Sequence, residues 1–172
     1  MKTIIGLLFA AIVNIAGVTN ADTVISFNEL KTGPFPLMNF ISKGISLTPK
    51  IGSGDSLVVK KVGSVKCLAL VNHSRPGTGT INIEFIEPTE EVRGKTVKGK
   101  KVSIDIINTT GEPCAVSGFY PNGKQVFRIT RKKTGTIYIP TTGGIQDITI
   151  DSKDKKTYLK GIRLASGSIV KS

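Results

Sequence analysis

Glu84 and Glu87 are the residues whose type and spacing come nearest to catalytic chemistry in this chain. Hydrolysis of a glycosidic bond uses two carboxyl groups about 5–10 Å apart, one on each side of the bond. Glu84 projects opposite Ile83 on a predicted strand, and Glu90 and Glu91 follow in a polar segment. The same pattern is typical of a solvated strand face and loop. A glycan-degrading enzyme is therefore the third of three functional hypotheses, and no catalytic residue is predicted.

Other catalytic classes lack their required residues. The only histidine, His73, lies in Asn72-His73-Ser74 with no nucleophile elbow nearby, so a serine hydrolase is not indicated. One histidine and two cysteines do not make a zinc site. No phosphate-binding loop or dinucleotide fingerprint occurs. We expect a binding protein, with no cofactor and no metal ligand.

Tyrosine side chains are the best candidates for ligand contact. Tyr138 stands between Ile137 and Ile139, so alternation places its ring on the outer face of a strand. Arg128 and Thr130 share an outward face on what we expect to be the neighbouring strand. A ring beside guanidinium and hydroxyl groups could stack a sugar and hydrogen-bond it. The alternative for each tyrosine is packing at the rim of the fold. The candidate binding residues are Tyr120, Arg128, Thr130, Arg131, Lys132, Lys133 and Tyr138.

Positive charge is concentrated in the second half of the chain. The sequence has 24 basic and 12 acidic residues, a net charge of +12. Residues 93–172 hold 16 of the basic and 5 of the acidic residues. This asymmetry favours an anionic partner such as an acidic glycan or other surface polymer, although lysines at turns also keep β proteins soluble. Nucleic acid is disfavoured, because interleaved aromatic residues are missing. The basic residues in or beside predicted loops are Lys95, Lys98, Lys100, Lys101, Arg131, Lys132, Lys133, Lys153, Lys155 and Lys156.

Alternating apolar residues and Gly-rich turns predict an all-β fold. Residues 114–150 contain four short strands, and Asn122-Gly123 is a strong hairpin signal. About ten such strands follow one another without an amphipathic helix, which indicates an antiparallel jelly-roll β-sandwich.

The first 21 residues have the pattern of a secretory signal peptide. Lys2 precedes an apolar run over residues 4–16, and small residues end at Ala21. We expect cleavage after Ala21, a single domain over residues 22–172, and a secreted or periplasmic location. An uncleaved membrane anchor is the alternative. We expect no other segment that crosses a membrane.

Cys67 and Cys114 are the only cysteines. Two cysteines in an exported protein most often form one disulfide, and we predict a bond between them. Two buried free thiols are the alternative.

Four segments carry a resemblance to a known group of domains. They are residues 25–30 followed by Gly44-Ile45, residues 118–126 around Asn122-Gly123, residues 143–150, and residues 158–164. With these motifs the chain resembles the jelly-roll domains of bacterial exported proteins that are similar to carbohydrate-binding modules and galactose-binding-like domains. The resemblance implies a β-sandwich that binds a sugar without catalysis.

The resemblance also raises the question of a structural calcium ion near the chain ends. Relatives often place an acidic residue in the last strand, whereas residues 159–164 contain none. Asp22 and Glu29 could still supply oxygen ligands. We therefore predict no cofactor, with a structural calcium ion as the alternative.

Three functional hypotheses remain. The first is a secreted, non-catalytic protein that binds carbohydrate, including acidic glycans, through a sheet face or a rim of loops. The second is a structural or adhesive surface protein, such as a pilin-like subunit. The third is the glycan-degrading enzyme. Neither the specific ligand nor the oligomeric state follows from the sequence.

Overall fold

The computed structural model describes residues 22–35, 43–49, 56–71, 79–85, 101–152 and 156–165. Some predictions concern residues outside these ranges and stay predictions. They are the signal peptide over residues 1–21, His73, the glutamates Glu87, Glu90 and Glu91, and the lysines Lys95, Lys98, Lys100, Lys153 and Lys155.

The described residues form twelve β-strands and no α-helix, which confirms the predicted all-β fold. The strands are β1 (Thr23–Ser26), β2 (Gly33–Pro34), β3 (Ile45–Pro49), β4 (Ser56–Val62), β5 (Val65–Val71), β6 (Gly79–Phe85), β7 (Lys101–Asn108), β8 (Cys114–Phe119), β9 (Gln125–Arg131), β10 (Gly135–Ile139), β11 (Asp147–Ser152) and β12 (Thr157–Ala165). The strand β2 consists of only two residues. Within these ranges, no helix is long and apolar enough to cross a membrane.

The strands pair antiparallel in two sheets. The first sheet has the order β10-β7-β12-β5-β4-β2, and β1 pairs with β12 over residues 161–164. The second sheet has the order β3-β6-β11-β8-β9. Their buried residues form a single core cluster, so the two sheets pack face to face as a β-sandwich.

Alternation along the strands divides each sheet into a core face and an outer face. The first sheet contributes side chains such as Ile104 of β7 and Leu159 of β12 to the core. The second sheet contributes Ile83 of β6 and Ile148 of β11. Burial of each such side chain contributes about 1.5–3 kcal/mol. The residues between them point outward, and these outer faces are where a ligand can bind.

The hairpin predicted at Asn122-Gly123 is present between β8 and β9. Gly123 has a φ of 78°, a backbone conformation that glycine adopts readily. The amide of Gly123 donates to the carbonyl oxygen of Tyr120 at 2.9 Å, and the amide of Tyr120 donates to that of Lys124 at 2.9 Å. The turn therefore sets the register of two strands of the second sheet.

The prediction that β9 and β10 are neighbours is wrong. β9 is an edge strand of the second sheet, whereas β10 pairs with β7 at the edge of the first. Thr134 anchors this crossover to the end of β7: its hydroxyl accepts from the amide of Asn108 at 2.9 Å and lies 3.2 Å from the Asn108 carbonyl oxygen, to which it donates. Arg128 and Thr130 are therefore on a different sheet from Tyr138.

The predicted disulfide is also wrong, because Cys67 and Cys114 are both buried and no disulfide joins them. Cys114, on β8, faces the core between the sheets. Cys67, on β5, is next to the core residue Leu68 and points to the opposite side of the first sheet. Packed sheets lie about 10 Å apart, and a disulfide needs Cα atoms within about 7 Å. Burial raises the pKa of the Cys67 thiol, and the charge of Lys160 opposes this rise.

Candidate functional site: a groove on the outer face of the first sheet

Three outward side chains form a transverse row across β10, β7 and β12. Tyr138 is directly opposite Ser103, and Ser103 is directly opposite Arg163. Each of the three has a core-facing neighbour, so all point away from the core. Tyr138 is 77% exposed, which is unusual for an aromatic residue. A small serine thus lies between two long side chains.

This contrast in size produces a groove along β7. Its floor is formed by Lys101, Ser103 and Asp105, and its walls by Tyr138 on β10 and Arg163 on β12. We call it the Tyr138 groove. The walls belong to strands two spacings apart, or about 9–10 Å. Its volume is about 500 Å³, within the range of small-molecule sites.

The next row along the groove carries a carboxylate in a fixed position. Thr136 is opposite Asp105, and its hydroxyl donates to the Asp105 carboxylate at 2.6 Å. On the other side of Asp105 is Gly161, where the ideal position for a Cβ is only 2.9 Å from the carbonyl oxygen of Ile25. Because Gly161 has no side chain, Asp105 has no neighbouring side chain on β12 in this row.

The groove combines the groups that sugar recognition requires. A tyrosine ring offers a flat apolar surface for the C–H face of a sugar. Arg163 supplies several donors in a planar fork, and Asp105 supplies an acceptor. Lys101 adds a second positive charge at the end of the groove away from Asp105. These groups can bind and orient a ligand, and among the described groove residues none forms a pair of carboxylates placed for hydrolysis.

The predicted site residues divide between this groove and the other sheet. Only Tyr138 lies in the groove. Tyr120 instead packs on the loop before β11, since an ideal Cβ at Gly143 would lie 2.7 Å from its hydroxyl oxygen. Arg128 and Thr130 are exposed on the outer face of the second sheet.

Five exposed basic residues form what we call the cationic edge, beside β9 and the crossover to β10. They are Lys124, Arg128, Arg131, Lys132 and Lys133. No acidic residue occurs between Glu112 and Asp147, so nothing within this segment neutralises them. Arg131, Lys132 and Lys133 were predicted as binding residues and are exposed here, outside the groove.

Sequence reasoning did not identify Lys101, Ser103, Asp105 or Arg163 as site residues. The alternation in β7 does place Ser103 and Asp105 on an outer face. The pairing of β7 with both β10 and β12 was not visible in the sequence, because β12 follows β7 by about fifty residues. Without that pairing, Tyr138 and Arg163 could not be placed on one surface.

Within the described ranges, no group of three or more His, Cys, Asp or Glu side chains is placed to hold a metal ion. Asp22 and Glu29, the possible calcium ligands, do not belong to any such group.

Neither a protein-family model nor a curated protein matches the chain. Among solved structures it is similar to isomalto-dextranase from Arthrobacter globiformis T6 complexed with panose, with a TM-score of 0.41, 12% identity, and 84% of this chain and 32% of that chain covered. It is also similar to N-terminal modules of endo-1,4-β-D-xylanase 10B from Clostridium thermocellum complexed with xylohexaose. The TM-score is 0.41 and the identity 10%, and the match covers 83% of this chain and 29% of that chain.

A third similar structure is the family 11 carbohydrate-binding module from Clostridium thermocellum, in complex with a β-1,3-1,4-mixed-linked tetrasaccharide. The TM-score is 0.33 and the identity 18%, and the match covers 85% of this chain and 96% of that chain. The chain thus spans about a third of the first two proteins and nearly all of this one. Carbohydrate-binding modules are among the solved structures to which the chain is similar. At these TM-scores the likeness does not identify a ligand.

Proposed function

We propose that this is an exported, non-catalytic protein that binds carbohydrate in the Tyr138 groove. One observation carries the proposal: Tyr138, which is 77% exposed, forms one wall of a groove whose other wall is Arg163 and whose floor includes Asp105. Exposure of an aromatic ring to water is energetically unfavourable in the free protein. The apolar face of a sugar can cover the ring without displacing any core residue.

The shape of the groove favours a chain over a single compact ligand. The floor follows β7 through Lys101, Ser103 and Asp105, which spans about 13 Å at the rise of a β-strand. Its two ends differ, since Asp105 offers an acceptor at one end and Lys101 a positive charge at the other. A bound chain would therefore have a preferred direction.

Acidic glycans are the finer part of this proposal. The short crossover at residues 132–134 joins β9 to β10, the strand that carries Tyr138, and contains two residues of the cationic edge. A chain with carboxylate or sulfate groups that leaves the groove toward β9 would meet Arg131, Lys132 and Lys133, all exposed. Exposed charges of this kind raise the rate of encounter and lose their effect as salt increases.

A glycan panel tests the proposal. The purified protein is compared with Tyr138→Ala and Tyr138→Phe at about 50 mM and about 300 mM salt, where screening lengths differ about twofold. We expect binding that survives high salt, is weakened roughly 10-fold or more in Tyr138→Ala, and is largely retained in Tyr138→Phe, which keeps the ring.

Other outcomes point elsewhere. Binding restricted to sulfated or uronic glycans and lost at high salt would assign the whole effect to the cationic edge. No binding at either salt would overturn the proposal and favour the structural or adhesive hypothesis. Because Tyr138 is exposed, an unchanged melting temperature in both variants would show that the fold is intact.

A further inference from the structure

One end of the Tyr138 groove holds two positive charges. Lys101 and Arg163 both line the groove, and both are exposed. Arg163 is opposite Ser103, two positions along β7 from Lys101, so the two basic residues are diagonal neighbours on one face of the sheet. The Cα atoms of such neighbours are about 7–8 Å apart, within reach of long side chains. One small anion can therefore contact both. We call this pair the Lys101 subsite.

Arg163 is not neutralised by the acidic residue of the groove. Asp105 is opposite Gly161, two positions along β12 from Arg163. Its carboxylate accepts a hydrogen bond from Thr136 on β10, across the groove from Arg163. In the described part of the chain, the side chains of Lys101 and Arg163 form no hydrogen bond or ion pair. Two positive charges at this distance repel each other, and an anion between them removes the repulsion.

Other charged residues nearby lie outside the groove. Val24 of β1 is opposite Arg163 and is uncharged. Asp22 precedes β1, does not line the groove, and has an interaction of its own. Lys160 lies at the bulge of β12 and does not line the groove either. Among the described residues that line the groove, positive charge is therefore confined to Lys101 and Arg163.

Tyr138 sets the position of a sugar relative to this pair. It is opposite Ser103, in the same row as Arg163. A sugar stacked on the tyrosine ring would lie over Ser103, with Arg163 at its other edge about two strand spacings away. A carboxylate carried by that sugar can accept two parallel hydrogen bonds from the planar guanidinium group and a third from the ammonium group of Lys101. The sugar reaches both positive groups while it keeps its stacking contact.

We propose that the Lys101 subsite binds the carboxylate of a uronic-acid residue whose ring stacks on Tyr138. The subsite is part of the groove and rests on the proposed function. Asp105, at the opposite end, repels a second carboxylate and accepts hydrogen bonds from hydroxyl groups. The sugar at that end should therefore be neutral. The groove selects a chain in which an acidic sugar is next to a neutral one, in preference to a chain of consecutive uronic acids.

The Lys101 subsite is separate from the cationic edge. The crossover that carries Lys132 and Lys133 leads into β10 at Gly135, which is opposite Ile106. Lys101 is at the other end of the same pair of strands, five residues or about 16 Å along β7 from Ile106. A disaccharide bound at the subsite is too short to reach the cationic edge as well. Short acidic ligands therefore report on the subsite alone.

The experiment uses disaccharides that contain one neutral sugar and one glucuronic, galacturonic or mannuronic acid. Each is compared with its methyl ester, which nearly keeps the shape of the sugar and removes the charge. Neutral disaccharides that carry one sulfate ester form a third arm. NMR titration of the isotope-labelled protein measures these weak affinities at about 50 mM and about 300 mM salt.

The variants separate the position of a charge from overall charge. Lys101→Ala removes one charge of the subsite, and Lys101→Arg keeps it. Lys60→Ala is the matched control, because it removes an exposed charge from another strand of the same sheet. Lys132→Ala with Lys133→Ala removes two charges of the cationic edge. All these side chains are exposed, so unchanged melting temperatures should show that the fold is intact.

In the wild type, we expect the best-bound acid to bind about 3- to 10-fold more tightly than its methyl ester, because two exposed ion pairs form. This difference should be smaller at about 300 mM salt, while the affinity for the ester stays the same. Lys101→Ala should remove most of the difference and Lys101→Arg should keep most of it. Lys60→Ala and the double variant of the cationic edge should match the wild type.

Failure of the subsite and failure of the groove give different results. Equal affinities for acid and ester in the wild type, with both lost in Tyr138→Ala, would overturn the subsite and leave the proposed function standing. So would a preference for the acid that persists in Lys101→Ala, or binding of longer glycans alone. A gain from sulfate esters alone would overturn the assignment to a carboxylate.

The proposed function has its own failing outcomes. A preference for the acid that depends on Lys101 but not on Tyr138 would overturn stacking on the tyrosine, and with it the proposed function. No binding of either the disaccharides or the longer glycans by the wild type would overturn both proposals.

Discussion

Tyr138 and Arg163 stand on opposite sides of Ser103 in one row of the first sheet, although twenty-five positions separate them in the sequence. The relation exists because β7 pairs with β10 on one side and with β12 on the other. A ring and a guanidinium group about two strand spacings apart can contact the same sugar from its two edges. The groove is therefore a product of sheet topology.

Arg163 should be as important for binding as the tyrosine. Arg163→Ala removes donors that can form two parallel hydrogen bonds, and hydrogen bonds to charged groups are worth about 1.5–3 kcal/mol, or roughly 10- to 100-fold in affinity. Arg163→Lys should recover only part of the loss, because an ammonium group cannot reproduce the planar fork. Calorimetry with the best-bound glycan measures both.

Lys60→Ala is the matched control for Arg163, since it removes one exposed positive charge from a strand of the same sheet outside the groove. It should leave affinity unchanged. Equal losses in Lys60→Ala and Arg163→Ala would mean that only overall charge matters, and the groove would lose its role.

The cationic edge should affect charged glycans alone. In Lys132→Ala with Lys133→Ala, binding of uronic or sulfated chains should weaken and depend less on salt, because two of the exposed charges are gone. Neutral chains should bind as before. Lys60→Ala with Lys61→Ala removes the same charge from another exposed pair of lysines and should have little effect. Equal responses in the two double variants would argue against a localised cationic edge.

Local sequence patterns predicted those features of the fold that depend on residues close together in the sequence. The period of two along β7 and β10 predicted which residues point outward, and Asn122-Gly123 predicted its hairpin. The placement of β9 and β10 in different sheets was missed, because Ile137 and Ile139 can bury the same face against either sheet. The crossover depends on Thr134 bonding to Asn108, a contact between residues distant in sequence.

The cysteine prediction failed for a related reason. Two cysteines in a protein that we expect to be exported suggested a disulfide. Whether the bond can form is decided by the side of the sheet that Cys67 and Cys114 each face. Leu68 turns its side chain into the core, so its neighbour Cys67 must point out of the sandwich. To predict these orientations from the sequence, one must know to which sheet each of the two strands belongs. No local sequence pattern provides that information.

Cys67 should make stability fall at high pH. Burial raises the pKa of its thiol above the ordinary value of 9.0, so above that pH the unfolded chain has lost a proton that the folded protein keeps. Stability from this group is complete below about pH 8 and declines as pH rises toward the folded pKa, by at most about 1.4 kcal/mol per pH unit. Urea unfolding from pH 7 to 10, compared with Cys67→Ala, isolates this slope.

Two results would contradict this account of Cys67. A wild-type slope identical to that of Cys67→Ala would show that the thiol titrates alike in both states. A melting temperature that drops on adding a reductant would show that Cys67 and Cys114 are bonded after all. With free thiols, the reductant should change nothing, and both should react with a thiol reagent once the protein unfolds.

Ser117 and Thr157 have the two buried side-chain hydroxyls that lack a hydrogen-bond partner among the described residues. Both are buried and both hydroxyls lack a partner, so each lowers stability through lost hydration. Ser117→Ala and Thr157→Val should each leave stability unchanged or raise it by up to about 1 kcal/mol, because they remove an unpaired group with little change in shape. Chemical denaturation measures this.

Neither variant should change binding in the Tyr138 groove, because Ser117 is on the second sheet and Thr157 is on the core side of the first sheet. Destabilisation by both variants would mean that the hydroxyls are bonded in the folded protein.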